Sequence, residues 1–232
     1  MNNNLLQIKF KERLNKLASL DYDNLECWQI VEAFNKAQLE WVRRQVAGSN
    51  IRKQGDEASK IMIDDLQILV SEAVLTGSDY DTYFETDKLP ANYLYFKRMT
   101  AIAKDKCCPS RPVVVYLAEV GDVDNLLYDA FRKPSFEWGE TFCTMGNNRC
   151  RVYTSETFDI EKATLTYYRL PRPINFDGCV NISTGAVGTN VESEFKDDIV
   201  EIIIDEAVAI LAGDIENFSQ FQRNKSNAQA NS

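Results

Sequence analysis

The sequence of 232 residues contains no histidine. Histidine is the commonest general base, the usual partner of a serine or cysteine nucleophile, and the commonest nitrogen ligand of zinc and iron. Its absence argues against most hydrolase and metalloenzyme mechanisms. The chain also lacks a run of about eighteen apolar residues and the basic, then apolar, start of a signal peptide. We therefore expect a protein without a membrane span that stays in the cytoplasm where it is made.

Nucleotide-binding and metalloprotease motifs are missing too. No GxGxxG follows a strand pattern, no GxxxxGK[ST] occurs, and HExxH is impossible without histidine. The six cysteines lack the dense, regular spacing of a secreted disulfide framework, which indicates reduced thiols. Cys107, Cys108, Cys143 and Cys150 could be imagined around zinc, but their spacing differs from that of zinc ribbons. We predict no catalytic, cofactor-binding or metal-binding residue and no cofactor.

The overall amino-acid composition is that of a folded, acidic protein. Hydrophobic residues make up 44% and charged residues 26%, close to ordinary globular proteins. With 26 basic and 35 acidic residues the net charge is −9. A duplex-binding domain normally carries a basic surplus, so tight binding of nucleic acid is disfavoured.

Helical periodicity dominates the first part of the chain. Leu6, Phe10 and Leu14 recur at a spacing of four on a short amphipathic helix over residues 5–17. A second, longer helix has one face formed by Cys27, Val31, Phe34, Gln38, Trp41, Val42 and Gln45. A third is expected to begin near Asp56, so that helices fill about the first 75 residues. The two glutamines favour partial exposure of the second helix over contact with another polar helix.

The middle of the chain is β-rich. Short β-branched and aromatic runs separated by turn residues predict strands. The expected strands cover residues 93–104, 112–118, 139–145, 149–154 and 163–170. Residues 146–148 would form a hairpin turn, and residues 122–131 a helical turn or two.

Helix and acidic charge return near the carboxyl end. Residues 192–216 contain one basic and nine acidic residues within a helix predicted over 194–217. A ribbon opposite its apolar face consists of Glu194, Asp197, Asp198, Glu201 and Asp205. Two interpretations are open. The ribbon is either a solvated face that maintains solubility or a surface that faces a polyanion, which moves past it without adhering.

These patterns predict an α+β fold. A helical bundle would combine the N-terminal helices with a long C-terminal helix, with an antiparallel β domain inserted. Residues 1–76 and 192–217 would form the helical body, 77–191 the insertion, and 218–232 a flexible polar tail.

Several side-chain groups could support chemistry. The adjacent carboxylates Asp64-Asp65, Asp197-Asp198 and Asp205-Glu206 satisfy the minimum need of a glycosidase, but such pairs are common among 35 acidic residues. Arg43-Arg44 and the pair Arg149 and Arg151 are interpreted as surface ion pairs rather than phosphate sites.

Aromatic residues are concentrated in the strand region. Most are expected in the core, although tyrosine and tryptophan at sheet edges also suit protein interfaces. The residues concerned are Tyr93, Tyr95, Phe96, Phe136, Trp138, Phe142, Tyr167 and Tyr168.

Several segments give a resemblance to a known family. They are DYDNLECWQIVEAFNKAQ at 21–38, EWVRRQ at 40–45, KPSFEW at 133–138, LTYYR at 165–169, EFKDD at 194–198 and DEA at 205–207. Together the chain resembles a structural protein of crAss-like tailed bacteriophages, with matches scattered from about residue 10 to 217. The strings are distinctive but contain no mechanistic motif.

The resemblance implies a head–tail connector, a ring protein in the virion neck. Such proteins form homo-oligomeric rings, commonly twelvefold, between the portal protein and neighbouring neck or tail ring proteins. Genomic DNA passes through the channel only as transient cargo. The implied function is structural and not enzymatic. The alternatives are a virion assembly chaperone or scaffold and a carboxylate-based cell-wall hydrolase using a pair such as Asp64 and Asp65.

Overall fold

The chain divides into two compact units in a computed structural model. The terminal unit consists of Met1–Ile68 with Pro171–Ser232, and the sheet unit of Leu69–Leu170. The predicted boundaries, after residues 76 and 191, lie further along the chain. The structure describes residues 1–15, 25–47, 64–105, 108–154, 158–180, 185–214, 222–223 and 225–227.

The sheet unit is built on one mixed sheet of eight strands. Their order across the sheet is β1-β8-β4-β5-β6-β7-β3-β2. Neighbouring strands pair antiparallel except β5 and β6, which run parallel. The strands are β1 (Val70–Leu75), β2 (Gly77–Asp79), β3 (Tyr83–Thr86), β4 (Tyr93–Asp105), β5 (Cys108–Leu117), β6 (Glu140–Gly146), β7 (Arg149–Tyr153) and β8 (Asp159–Arg169).

The sheet curls around a hydrophobic core. Strands β2 and β3 approach β8 across the curl, and the Asp79 carboxylate lies 3.5 Å from the amide nitrogen of Ile160. Alternation along β3 and β7 sends every second side chain inward. The buried core residues include Phe84, Met99, Val113, Val115, Val152, Ile160 and Leu165.

Two connections within this sheet have clear causes. Asn147 and Asn148 adopt positive φ angles of 51° and 58° in the β6–β7 turn, as a tight hairpin requires. The parallel pair β5 and β6 instead needs a crossover connection. Residues 118–139 provide it through a 3₁₀ turn at Val120–Asp122 and the short helix α3 at Val123–Tyr128.

The terminal unit packs helices around α4. Helix α1 spans Asn3–Asn15, α2 spans Cys27–Ala47, and α4 spans Asp197–Asp214. Helix α4 contacts both α1 and α2. The buried side chains at these contacts include Leu6, Phe10, Ile30, Phe34, Trp41, Val200, Ile203, Ile204 and Val208. The core of this unit therefore follows the apolar periodicity of its helices.

The predicted fold class is wrong. The described residues are dominated by a curled mixed sheet of eight strands with few, mostly short helices, not by a helical bundle with a long C-terminal helix. Val70–Leu75 belongs to β1 because it pairs with β8, although helix was expected there. Strands β2 and β3 are short and rich in polar residues, so their pattern was not recognised.

Several local predictions are confirmed. The five predicted strands correspond to β4 through β8, the hairpin turn lies where expected, and helices α1, α2 and α3 occupy predicted segments. The start of the third predicted helix lies outside the described residues. Most of the predicted tail, residues 218–232, also lies outside them.

The prediction of reduced thiols is wrong for one pair. Cys27, at the start of α2, forms a disulfide with Cys179, and their Cα atoms are 5.9 Å apart. That distance is typical of a disulfide. The two cysteines are separated by 152 positions. Spacing in the sequence could not reveal their proximity.

Within the described ranges, no helix has both the length and the apolar character needed to cross a membrane.

Candidate functional site

The crossover between β5 and β6 covers a cavity in the sheet unit. We call it the crossover cavity, and its volume is about 470 Å³. That lies within the range of about 300–1,000 Å³ typical of ligand pockets. The residues that matter most below are Tyr116, Glu119, Asp122, Phe131, Trp138 and Glu140. The cavity thus combines aromatic rings with carboxylates.

Local structure fixes the far end of the crossover. Arg111 on β5 donates hydrogen bonds to the carbonyl oxygens of Phe136 and Glu137. Its guanidinium also lies 4.6 Å from the centroid of the Phe136 ring. Gly139 has a φ of 70°, which reverses the chain before β6 and favours glycine. A strand arginine and a glycine turn therefore hold the backbone on both sides of Trp138.

The crossover exposes an unusual amount of apolar surface. Phe131 is 77% exposed and Trp138 57% exposed, and their rings face each other with centroids 6.3 Å apart and planes inclined by 20°. Val120 and Tyr128 are also exposed, the latter by 90%. We call Tyr116, Leu117, Phe131 and Trp138, four exposed residues that line the cavity together, the crossover surface. Contiguous apolar patches of this kind mark interaction sites, and aromatic residues are enriched in interfaces.

Charged groups line the same cavity. Among the described residues, no ion pair joins Glu119, Asp122 or Glu140 to a cation. Glu140 lies 3.4 Å from the Tyr116 hydroxyl, which is oriented to donate to it. Arg132 also lines the cavity, and its Nε lies 4.0 Å from an Asp129 carboxylate oxygen. Lys133 is the second cation there.

The sequence identified this site only in part. Trp138 and Phe142 belong to the aromatic set considered for core or interface, whereas Phe131, Glu119 and Glu140 were not recognised. The parallel pairing of β5 and β6 is what brings them together, and no signal within the 118–139 segment shows that pairing.

The acidic residues of α4 are not an open ribbon. Glu201 pairs with Lys9 and Arg13 of α1. Asp205 lies 3.0 Å from Arg13, and Glu206 pairs with Arg44 of α2. The exposed part of the predicted ribbon includes Asp197 and Asp198. Glu201 and Asp205 therefore belong neither to a solvated face nor to a surface that faces a polyanion, because their carboxylates face the cations of α1.

Burial raises the pKa of two of these carboxyls. The pKa of Glu206 is raised by burial, an effect that Arg44 only partly offsets. The pKa of Asp205 is raised in the same way, against the opposing influence of Arg13. Both directions arise because the low-dielectric interior disfavours a charged carboxylate.

Three of the four arginines named from the sequence form ion pairs among the described residues. The prediction of surface pairs holds for Arg149 and Arg151, whereas the pair of Arg44 is largely buried. Arg44 pairs with Glu206 inside the terminal unit. Arg149 and Arg151 both pair with Glu85 of β3, at 3.2 and 2.8 Å. The hydrogen bond from Arg151 lowers the pKa of the Glu85 carboxyl.

Asp64 and Asp65 are held by a lysine in the terminal unit. The Lys196 ammonium lies 2.5 Å from Asp64 and 3.8 Å from Asp65, beside a shallow pocket of about 340 Å³. The hydrogen bond with Asp64 raises the pKa of Lys196. Both carboxylates thus share one cation.

The cysteines of the imagined zinc site are dispersed. Cys143 and Cys150 are buried in the core of the sheet unit, and Cys108 is exposed on β5. A hydrogen bond with Cys150, together with burial, raises the pKa of the Cys143 thiol. Cys107 lies outside the described residues. In the part of the chain that the structure describes, no cluster of three or more metal-ligating side chains occurs.

Gln38 contradicts the expectation of exposure. It is buried, and its amide donates to the carbonyl oxygen of Arg172 at 3.1 Å and to Asn35 at 3.3 Å. Gln45 is buried as well. The stripe of α2 is therefore buried from Phe34 to Gln45 and partly buried at Cys27 and Val31. The segment after β8 supplies a polar partner for Gln38.

Comparisons with protein-family models and with curated proteins find no match to this chain.

Proposed function

We propose that the chain is a structural, non-enzymatic virion protein that forms a ring in the phage head-to-tail connector, between portal and tail. The exposed crossover surface is the observation that supports this proposal most strongly. A surface with Phe131 and Trp138 mostly exposed suits a protein that functions through contacts with other chains. The resemblance of the sequence to a neck protein of crAss-like phages supports the identity of those chains.

A closed ring requires a heterologous interface. Each copy presents one patch to a different patch on its neighbour, and the ring closes when the rotation between copies completes a circle. Aromatic anchors dominate the energetics of such contacts. Under this proposal the crossover surface is one of the two patches or contacts the portal or the next ring.

Charge is compatible with a role around a DNA passage. The net charge is −9, and Asp197 and Asp198 are exposed at the start of α4. Like charges repel the DNA backbone and prevent adhesion over roughly 8 Å at physiological salt. In this proposal DNA is cargo that passes through the ring, and the protein is made in the host cytoplasm before it enters the virion neck.

Electron microscopy and native mass spectrometry of the chain mixed with its portal protein test the proposal. We expect a closed ring bound to the portal, with about a dozen copies in purified virions. A chain that remains monomeric and does not bind the portal protein would contradict the proposal. Presence in infected cells but absence from virions would instead indicate an assembly chaperone or scaffold. Glycan cleavage that is lost in an Asp64→Ala/Asp65→Ala variant would indicate a hydrolase.

A further inference from the structure

The crossover cavity combines flat aromatic faces with carboxylates that form no ion pair within the described part of the chain. The faces of Phe131 and Trp138 are nearly parallel, and both rings line the cavity. The carboxylates of Glu119, Asp122 and Glu140 line it too, and none forms an ion pair with a cation of the described residues. This is the chemistry of a cation-binding site.

A guanidinium fits these groups better than an ammonium does. It is planar, stacks on aromatic faces, and donates two parallel hydrogen bonds to one carboxylate. A lysine ammonium is a compact, strongly hydrated point charge that gains less from a flat ring. The combination of rings and carboxylates therefore favours arginine.

The surroundings of the cavity favour a ligand that is part of a protein. Tyr116 and Leu117, which also line the cavity, are exposed and enlarge its apolar surface. A free guanidinium compound would leave this surface in water, whereas a polypeptide would cover it. Arg132 does not already fill the role, because its guanidinium faces Asp129. Three carboxylates against two cations leave the lining acidic and complementary to a basic side chain.

We propose that the crossover cavity receives an arginine side chain from a partner chain. The side chain stacks against Phe131 and Trp138 and pairs with the carboxylates of Glu119 and Glu140. The inference rests on the proposed function in one respect, namely that the crossover surface is an assembly interface. It adds the chemistry by which that interface recognises its partner.

Titration of the full chain with acetyl-Gly-Arg-Gly-amide tests the site without any assembly. The indole N–H resonance of Trp138 is followed by NMR and assigned with a Trp138→Phe variant, since the chain has three tryptophans. The matched probe replaces arginine by citrulline, which keeps the shape and removes the charge. We expect a saturable shift with the arginine peptide and at least threefold weaker binding of the citrulline peptide.

Two variants sharpen the test. Glu140→Gln should weaken binding of the arginine peptide several-fold and remove most of the preference over citrulline. Glu137→Gln, on the same loop but outside the cavity lining, should leave both unchanged. A Trp138 resonance that does not respond, or equal binding of the two peptides, would overturn the proposal. Equal loss in both glutamine variants would also overturn it.

The outcome is separable from that of the proposed function. If the arginine peptide binds but the chain never joins a ring, the connector proposal fails and the arginine site remains. If a ring forms but the arginine peptide does not bind, the arginine site fails and the connector proposal remains.

Discussion

The two units treat charge and apolar surface in opposite ways. In the terminal unit, the carboxylates of Glu201, Asp205 and Glu206 face cations of α1 and α2, while the apolar face of α4 is buried. In the sheet unit, the crossover leaves aromatic side chains exposed above carboxylates that no described cation neutralises. The first arrangement pairs these charges within the unit. The second leaves aromatic rings and carboxylates available to another molecule, which makes it the candidate interaction site.

The ion pair between Arg44 and Glu206 gives the largest expected effect. An Arg44→Leu variant removes the cation and leaves Glu206, only 6% exposed, as an uncompensated buried charge. We expect the free energy of unfolding to fall by about 3–5 kcal/mol. Urea denaturation of the full chain measures it. Arg43→Leu, on the exposed neighbouring position of α2, is the matched control and should change stability little. Equal losses in both variants would contradict the claim that Arg44 neutralises the buried carboxylate of Glu206.

The ion pairs between α1 and α4 should have a smaller effect. Glu201→Gln removes the carboxylate shared by Lys9 and Arg13, in a partly exposed setting. We expect a loss of about 1 kcal/mol, because solvent screens such pairs. Asp198→Asn, on the exposed side of the same helix, is the control. Thermal denaturation of both variants side by side tests the difference, and a larger loss for Asp198→Asn would reverse the assignment of the two faces.

Glu206 in the terminal unit and Glu85 in the sheet unit should contribute to stability with opposite dependence on pH. Burial raises the pKa of Glu206 above its ordinary 4.5, so its contribution is full below that pH and is lost as pH rises through the raised value. The pKa of Glu85 is lowered by Arg151, so its contribution is present above 4.5 and is lost as pH falls through the lowered value. We therefore measure the unfolding free energy by denaturation at a series of acid pH values. Glu206→Gln should remove a fall in stability with rising pH, and Glu85→Gln should remove a rise. Slopes that change in the same direction would show that one assignment is wrong.

Trp138 should matter least for stability and most for association. Its side chain is 57% exposed, so Trp138→Ala should change the unfolding free energy by less than about 0.5 kcal/mol. Binding to the portal or to neighbouring copies should nevertheless be lost. Tyr80→Ala, which alters another exposed aromatic residue of the sheet unit, is the control for binding. A large loss of stability in Trp138→Ala would place this residue in the core and remove it from the proposed interface.

Local patterns predicted the elements better than their arrangement. Alternation along β4 to β8 and the period of α1 and α2 are properties of contiguous residues, so the sequence revealed them. A helix was expected at β1 because its strand conformation depends on pairing with β8, almost a hundred positions later, which local patterns do not show. The mixed sheet and the crossover follow from such distant pairings.

The candidate site was predictable only as a set of residue types. Trp138 was considered for an interface, and Arg149 and Arg151 were interpreted correctly as ion-pair partners. The convergence of Phe131, Glu119 and Glu140 depends on the parallel pairing of β5 with β6. The disulfide between Cys27 and Cys179 and the neutralisation of α4 likewise arise from tertiary packing.

Native mass spectrometry of the wild-type chain and a Phe131→Ser/Trp138→Ser variant, each mixed with the portal protein, tests the central claim most directly. The account predicts a closed ring on the portal for the wild-type chain and unassembled, folded chains for the variant, with circular dichroism confirming the fold. Identical rings from both proteins, or free monomers from the wild-type chain, would contradict it.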